Sequence, residues 1–227
     1  MNKFALRALS AACLLFLSSS VLVSAQEKES FKKKGNTLTF ITQDANFSPA
    51  VKARLIETFF KVYPELKKQF NPNAAKEVTF VIDTAYKGVA ATSGTIVSFS
   101  PVWFKKHPED VDVVTHEVMH IVQAYGENAG PWYITEGIAD YVRYVYGVDN
   151  AGAKWTLPNY KEGQKYENGY RVTARFFAWM EKHGYAGIVK KIDKNMRDHT
   201  YTDDTWKTLT TKTLNELWSS YIADPTL

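Results

Sequence analysis

The 227-residue chain has one cysteine, Cys13, and it lies in the leading segment. A disulfide within the folded part is therefore excluded, and stability has to come from an apolar core and any bound metal. A strong charge of either sign is also lacking. The formal net charge is +4, and removal of Lys3 and Arg7 with the leading segment leaves about +2. That balance argues neither for nucleic acid nor for a membrane surface as partner, and Lys32–Lys34 reads as a solvated run. There is no internal repeat and no low-complexity tract. The apolar run Leu9–Leu17 falls short of the roughly 20 residues that a membrane span needs.

That short run has the form of a secretory signal: a basic head at Lys3 and Arg7, an apolar centre, and a small-residue tail ending Val23-Ser24-Ala25. Residues 1–25 are thus expected to be a signal peptide, residues 26–36 a flexible N-terminal segment, and residues 37–227 one domain. The address is secreted or periplasmic, with no integral membrane segment after cleavage; an uncleaved anchor is the competing reading. About 200 remaining residues suffice for a substantial core, and an aromatic content of 14% is that of a packed globule.

Thr37–Gln43 and Val78–Asp83 alternate as strands do, and Gly88–Ser100 reads as a hairpin with Gly94 at its turn. Ser48-Pro49 opens a helix that extends toward Gln69. From Asp110 onward the pattern is helical, over Asp110–Tyr125, Glu136–Tyr146, Gly169–His183, Tyr185–Met196 and Leu214–Tyr221. The last has Thr213 and Glu216 at capping-box spacing. Gly147–Asn168 reads as a surface loop. The layout is α+β: a small N-terminal mixed sheet with an edge strand, then a mainly helical half.

One stretch carries chemistry. In VVTHEVMHIVQ, Val113–Gln123, His116 and His120 lie one helical turn apart, so both imidazoles point at one place. Glu117 stands beside the first, and His-Glu-x-x-His is the sequence form of a zinc hydrolase with glutamate as general base. A catalytic zinc needs a third ligand and an open position. Glu136 and Asp140, again one turn apart, open the next helix with Thr135 as a possible cap. Gly126–Gly130 can reverse the chain between the two helices. Glu136 is favoured as third ligand and Asp140 as hydrogen-bond partner of His116, with exchanged roles left open. Tyr170 is the first choice as donor to a developing oxyanion; Tyr141 and Tyr166 are weaker candidates. His107, His183 and His199 are read as bystanders. Arg171 and Arg175 share a face and can receive either a substrate carboxylate or Asp140 and Glu136.

The segment TEGIADYVR after HEVMH, followed by Gly169–Phe177, GYRVTARFF, resembles the basic secretory protein family of plants and bacteria, zinc peptidases of the zincin superfamily. The likeness runs from about Thr37 to the C-terminus, through Lys194–Arg197 and Glu216–Tyr221. It differs from some members at Tyr141, where they have tryptophan. The EG-x-A-x-Y segment also resembles the third-ligand helix of thermolysin-like and aminopeptidase-type enzymes, where the glutamate matches Glu136 and the supporting aspartate matches Asp140. The resemblance implies a zincin-like fold, one zinc ion per chain, a protein or peptide substrate, and peptide hydrolysis by a zinc-activated water with Glu117 as base. An endopeptidase and a monomer are expected. The competing readings are a non-catalytic binding protein on the same scaffold and a zinc amidase acting on cell-wall material.

Overall fold

Pairing begins where the sequence shows little sign of it. In the computed structural model, which describes residues 27–227, β1 (Glu27–Lys33) and β2 (Asn36–Thr42) form an antiparallel hairpin. The turn residues Lys34 and Gly35 both have positive φ, 51° and 73°, as a two-residue hairpin of this twist requires. The flexible segment expected at 26–36 is thereby corrected: from Glu27 it is a strand. EKESFKK has only Phe31 as an apolar residue, so it lacks alternation, yet backbone bonds to β2 hold it. Lys52 adds ion pairs to Glu27 and Glu29 at 3.6 and 2.5 Å. Residues 1–25, the expected signal segment, lie outside the described residues.

Ser48 accepts a hydrogen bond from the Val51 amide and caps α1 (Pro49–Gln69). Val51, Leu55, Phe59, Tyr63 and Leu66 recur at helical spacing and are buried. They meet the apolar face of β2, β3 (Glu77–Ile82) and the hairpin of β4 (Ala90–Ser93) and β5 (Ile96–Phe99). Phe80 is central, with ring centroids 5.5 Å from Phe59 and 5.0 Å from Phe99. The sheet order is β1-β2-β3-β5-β4. β2, β3 and β5 run parallel, and the outer strands are antiparallel to their neighbours, so β4 is an edge.

The helical half follows: α2 (Pro101–Lys106), α3 (Val113–Gln123), α4 (Trp132–Tyr146), α5 (Tyr170–Lys182), α6 (Ile188–Arg197), α7 (Asp204–Thr210) and α8 (Leu214–Ala223). α2 and α7 are not in the sequence reading, since six or seven residues are too few to display a period. The capping box of α8 is made in both directions, with Glu216 N to Thr213 Oγ1 at 3.2 Å and Thr213 N to Glu216 Oε2 at 2.7 Å. α4 starts four residues before the predicted Glu136, at Trp132, so Thr135 lies inside the helix and is not its cap. The loop after α4 is pinned by the buried Asp112, which accepts from the Val148 and Asp149 amides at 2.8 and 2.6 Å. No helix among the described residues is long and apolar enough to cross a membrane.

Candidate metal centre

α3 is central to the site because it packs against α1, α4 and β4. Val114, Val118, Met119 and Val122 bury its apolar side. The polar positions His116, Glu117 and His120 remain along one wall of a cleft of about 1260 Å³, which Glu136, Asp140, Tyr170 and the β4 residues Ala90–Thr92 also line. α3 ends at Ala124, in the left-handed region with φ 45°. Gly126, Asn128 and Gly130 also have positive φ, and together they turn the chain back into α4.

Both histidines are held by the ring nitrogen facing away from the cleft. His116 Nδ1 lies 2.7 Å from Asp140 Oδ1, and His120 Nδ1 lies 2.8 Å from Gln123 Oε1. Each partner is an acceptor, so each Nδ1 carries the proton and each Nε2 is left with its lone pair. The two Nε2 atoms are 3.2 Å apart, and Glu136 Oε2 is 3.2 Å from one and 3.6 Å from the other. A tetrahedral ion with bonds of about 2.0–2.1 Å has ligand-to-ligand edges of about 3.3 Å. The three atoms therefore have the spacing of three corners of such a coordination sphere, and His116, His120 and Glu136 form a group able to hold a metal ion.

The electrostatics point the same way. Burial opposes a charge on His116, but Asp140, Glu136 and Glu117 around it outweigh burial and push its pKa up to about 10. Burial would raise Glu136, yet the two histidines hold it down at about 2. The carboxylates thus demand a positive charge at this place, which a cation meets better than a proton shared between two imidazoles.

Asp140 is buried and sits on the far side of the His116 ring from Glu136, a position from which it orients the imidazole. Glu117, 6% exposed, accepts a hydrogen bond from Thr92 Oγ1 at 2.6 Å. Tyr170 stands at the mouth of the cleft, half exposed, its ring nearly parallel to that of His116 at 6.3 Å. Tyr141 is packed among core side chains and the Tyr166 hydroxyl bonds Asn215, and neither lines the cleft. Arg175 donates to the Pro225 carbonyl, and neither it nor Arg171 pairs with Asp140 or Glu136 among the described residues. His107, His183 and His199 are not in the metal-ligating group. The sequence reading missed Gln123 and Thr92. Gln123 carried a signal, three residues after His120 on the same helix face; Thr92 carried none, being brought in by the sheet.

The five-stranded mixed sheet with its helices is a zincin-type fold, and two of those helices bring two histidines and a glutamate together. Solved metallopeptidase structures share the fold. The M1 zinc metallopeptidase of Deinococcus radiodurans has a TM-score of 0.52 at 12% identity, with 89% of this chain and 52% of that one covered. A mutant of the same enzyme bound to a Tyr-Ser-Ala substrate has a TM-score of 0.50 at 15% identity, covering 89% and 53%. An aminopeptidase N family protein of Idiomarina loihiensis has a TM-score of 0.53 at 10% identity, covering 88% and 46%. This chain spans about half the length of these relatives. No curated protein sequence matches it. A family model described as peptidase of plants and bacteria matches residues 25–221, and the chain belongs to that family.

Proposed function

We propose that the protein is a secreted zinc metallopeptidase, an endopeptidase acting as a monomer on protein or peptide substrates. His116, His120 and Glu136 hold one zinc ion, with Asp140 orienting His116. The observation that carries this reading is the spacing of the two Nε2 atoms and Glu136 Oε2, at 3.2, 3.2 and 3.6 Å, with both Nδ1 atoms already engaged. Zinc, when bound, would supply Lewis acidity, lowering the pKa of a water toward neutrality.

The side chains do the rest. Glu117, close beside the ligands in the same cleft, takes the proton of the attacking water and delivers it to the leaving amine. Tyr170 donates its phenolic hydrogen to the developing oxyanion. Burial, then Glu136, Asp140 and Glu117, raise its pKa, so the phenol keeps its proton. Its φ of 47° is a left-handed conformation that costs an aromatic residue free energy and often marks a functional position. The β4 edge supports binding of an extended peptide. Ser100 N bonds Val89 O across the hairpin, so Ala90 and Thr92 turn their main-chain groups to the open side. The Ala90 carbonyl accepts there from the Tyr86 hydroxyl at 2.8 Å, and the Ala90 amide with both Thr92 groups is where a substrate strand can add.

Elemental analysis of the purified protein tests the metal: about one zinc per chain is expected, lost in His116→Ala. Glu117→Gln should keep its zinc while hydrolysis of a protein substrate falls by about 10²–10⁴. A folded chain that takes up no zinc when zinc is offered would overturn the assignment. Wild-type rates in Glu117→Gln would remove the general base. Zinc with turnover only of cell-wall fragments would replace peptidase by amidase.

A further inference from the structure

The Glu117 carboxylate has one hydrogen-bond partner among the described residues, and that partner comes from the sheet. Thr92 Oγ1 lies 2.6 Å from Glu117 Oε2 and 3.0 Å from the Glu117 carbonyl oxygen. A threonine hydroxyl has a single proton. The contact to the carboxylate oxygen is the shorter of the two, so the proton goes there. The strand explains how the hydroxyl gets to this place. Ala90 and Thr92 are half-buried while Ala91 and Ser93 are exposed, so the first two side chains turn toward α3. Thr92 thus has two roles available at once. Its side chain rests on Glu117, and its main-chain groups face the open edge.

We propose that Thr92 is a positioning residue for the general base. Its hydroxyl fixes one carboxylate oxygen of Glu117 and leaves the other, Oε1, turned to the reacting water. Because Thr92 lies on the edge strand, a peptide that adds there stiffens the same residue that orients the base. Without this bond the glutamate, with three side-chain torsions, samples rotamers in which neither oxygen is aimed at the water. The proposal rests on the reading of Glu117 as general base.

Two substitutions separate orientation from packing. Thr92→Val keeps the shape and the strand preference but removes the donor; Thr92→Ser keeps the donor. With zinc content equal to wild type in both, Thr92→Val should lower kcat on a quenched fluorescent peptide about ten- to thirty-fold with KM within about twofold. Thr92→Ser should stay within about threefold of wild type. A second measurement needs no turnover: calorimetric binding of acetohydroxamate to the zinc-loaded protein, whose proton such a base accepts. Affinity should fall at least about fivefold in Thr92→Val and be restored in Thr92→Ser. Wild-type kcat and hydroxamate affinity in Thr92→Val, equal impairment of both variants, or loss of zinc in Thr92→Val would each overturn the proposal. If the wild type cleaves no peptide, the peptidase reading fails by itself, and the hydroxamate series still decides the role of Thr92.

Discussion

His116 is the residue on which the site converges. One ring nitrogen faces Glu136 and His120, the other faces Asp140, and three carboxylates act on it together. Asp140→Asn keeps the size and an acceptor oxygen but removes the charge that strengthens the imidazole as a ligand, and it allows the amide to turn its NH₂ to Nδ1. Loss of such a partner costs about 10–100-fold in metal affinity. That loss is the expected result in chelator competition, with the fold unchanged by circular dichroism; equal affinity would mean that Asp140 is a bystander. This part of the site was legible in the sequence, since His116, Glu117, His120, Glu136 and Asp140 form two one-turn patterns. Thr92 was not, because 25 positions separate it from Glu117 and only sheet topology joins them.

At the scale of elements, α4 carries Glu136 to the histidines of α3 and also packs closely against α5. The closeness is set by Gly137, where an added Cβ would stand 2.5 Å from Thr173 Cγ2 and 2.7 Å from Thr173 Cβ. Thr173 is buried and its hydroxyl is bonded to the Tyr166 carbonyl, so it cannot swing aside. Gly137→Ala gains about 1 kcal/mol of helix propensity but forces two packed helices apart, at a cost of about 1–3 kcal/mol. We expect a net loss of stability in urea, and with it weaker zinc binding, because Glu136 is the adjacent residue. A variant more stable than wild type would show that the helices have room. The periodicity of α4 is legible, but it places the start at Glu136, since Trp132 to Thr135 look like a connection until Gly169 is seen against the Trp132 ring. β1 escaped notice for a related reason: its partner is β2, and a strand held by its neighbour's edge need not alternate.

The whole molecule is closed beneath the cleft by a polar tie between distant parts of the chain. Tyr125, which lines the cleft just past α3, donates to Asp193 Oδ1 at 2.8 Å. Arg197 donates to Asp193 Oδ2 at 2.7 Å and to the carbonyl of Phe70, at the end of α1, at 2.9 Å. Asn71 bonds the Val122 carbonyl of α3 at 2.8 Å. Asp193 is fully buried, and burial outweighs Arg197 and Tyr125, so its pKa rises from 3.8 to about 6. The folded chain therefore holds this proton more tightly than the unfolded one. The contribution to stability is fully present below pH 3.8 and is lost as pH rises through 6, a change of about 2–3 kcal/mol for this shift. Asp193→Asn does not titrate and provides the reference. In urea unfolding with chelator present, the difference between wild type and Asp193→Asn should move against the wild type by that amount from pH 4 to pH 7. A difference that stays constant over the range would mean that Arg197 keeps Asp193 ionised throughout. The tie would then be a pH-independent ion pair, and acid would act on the fold through other groups.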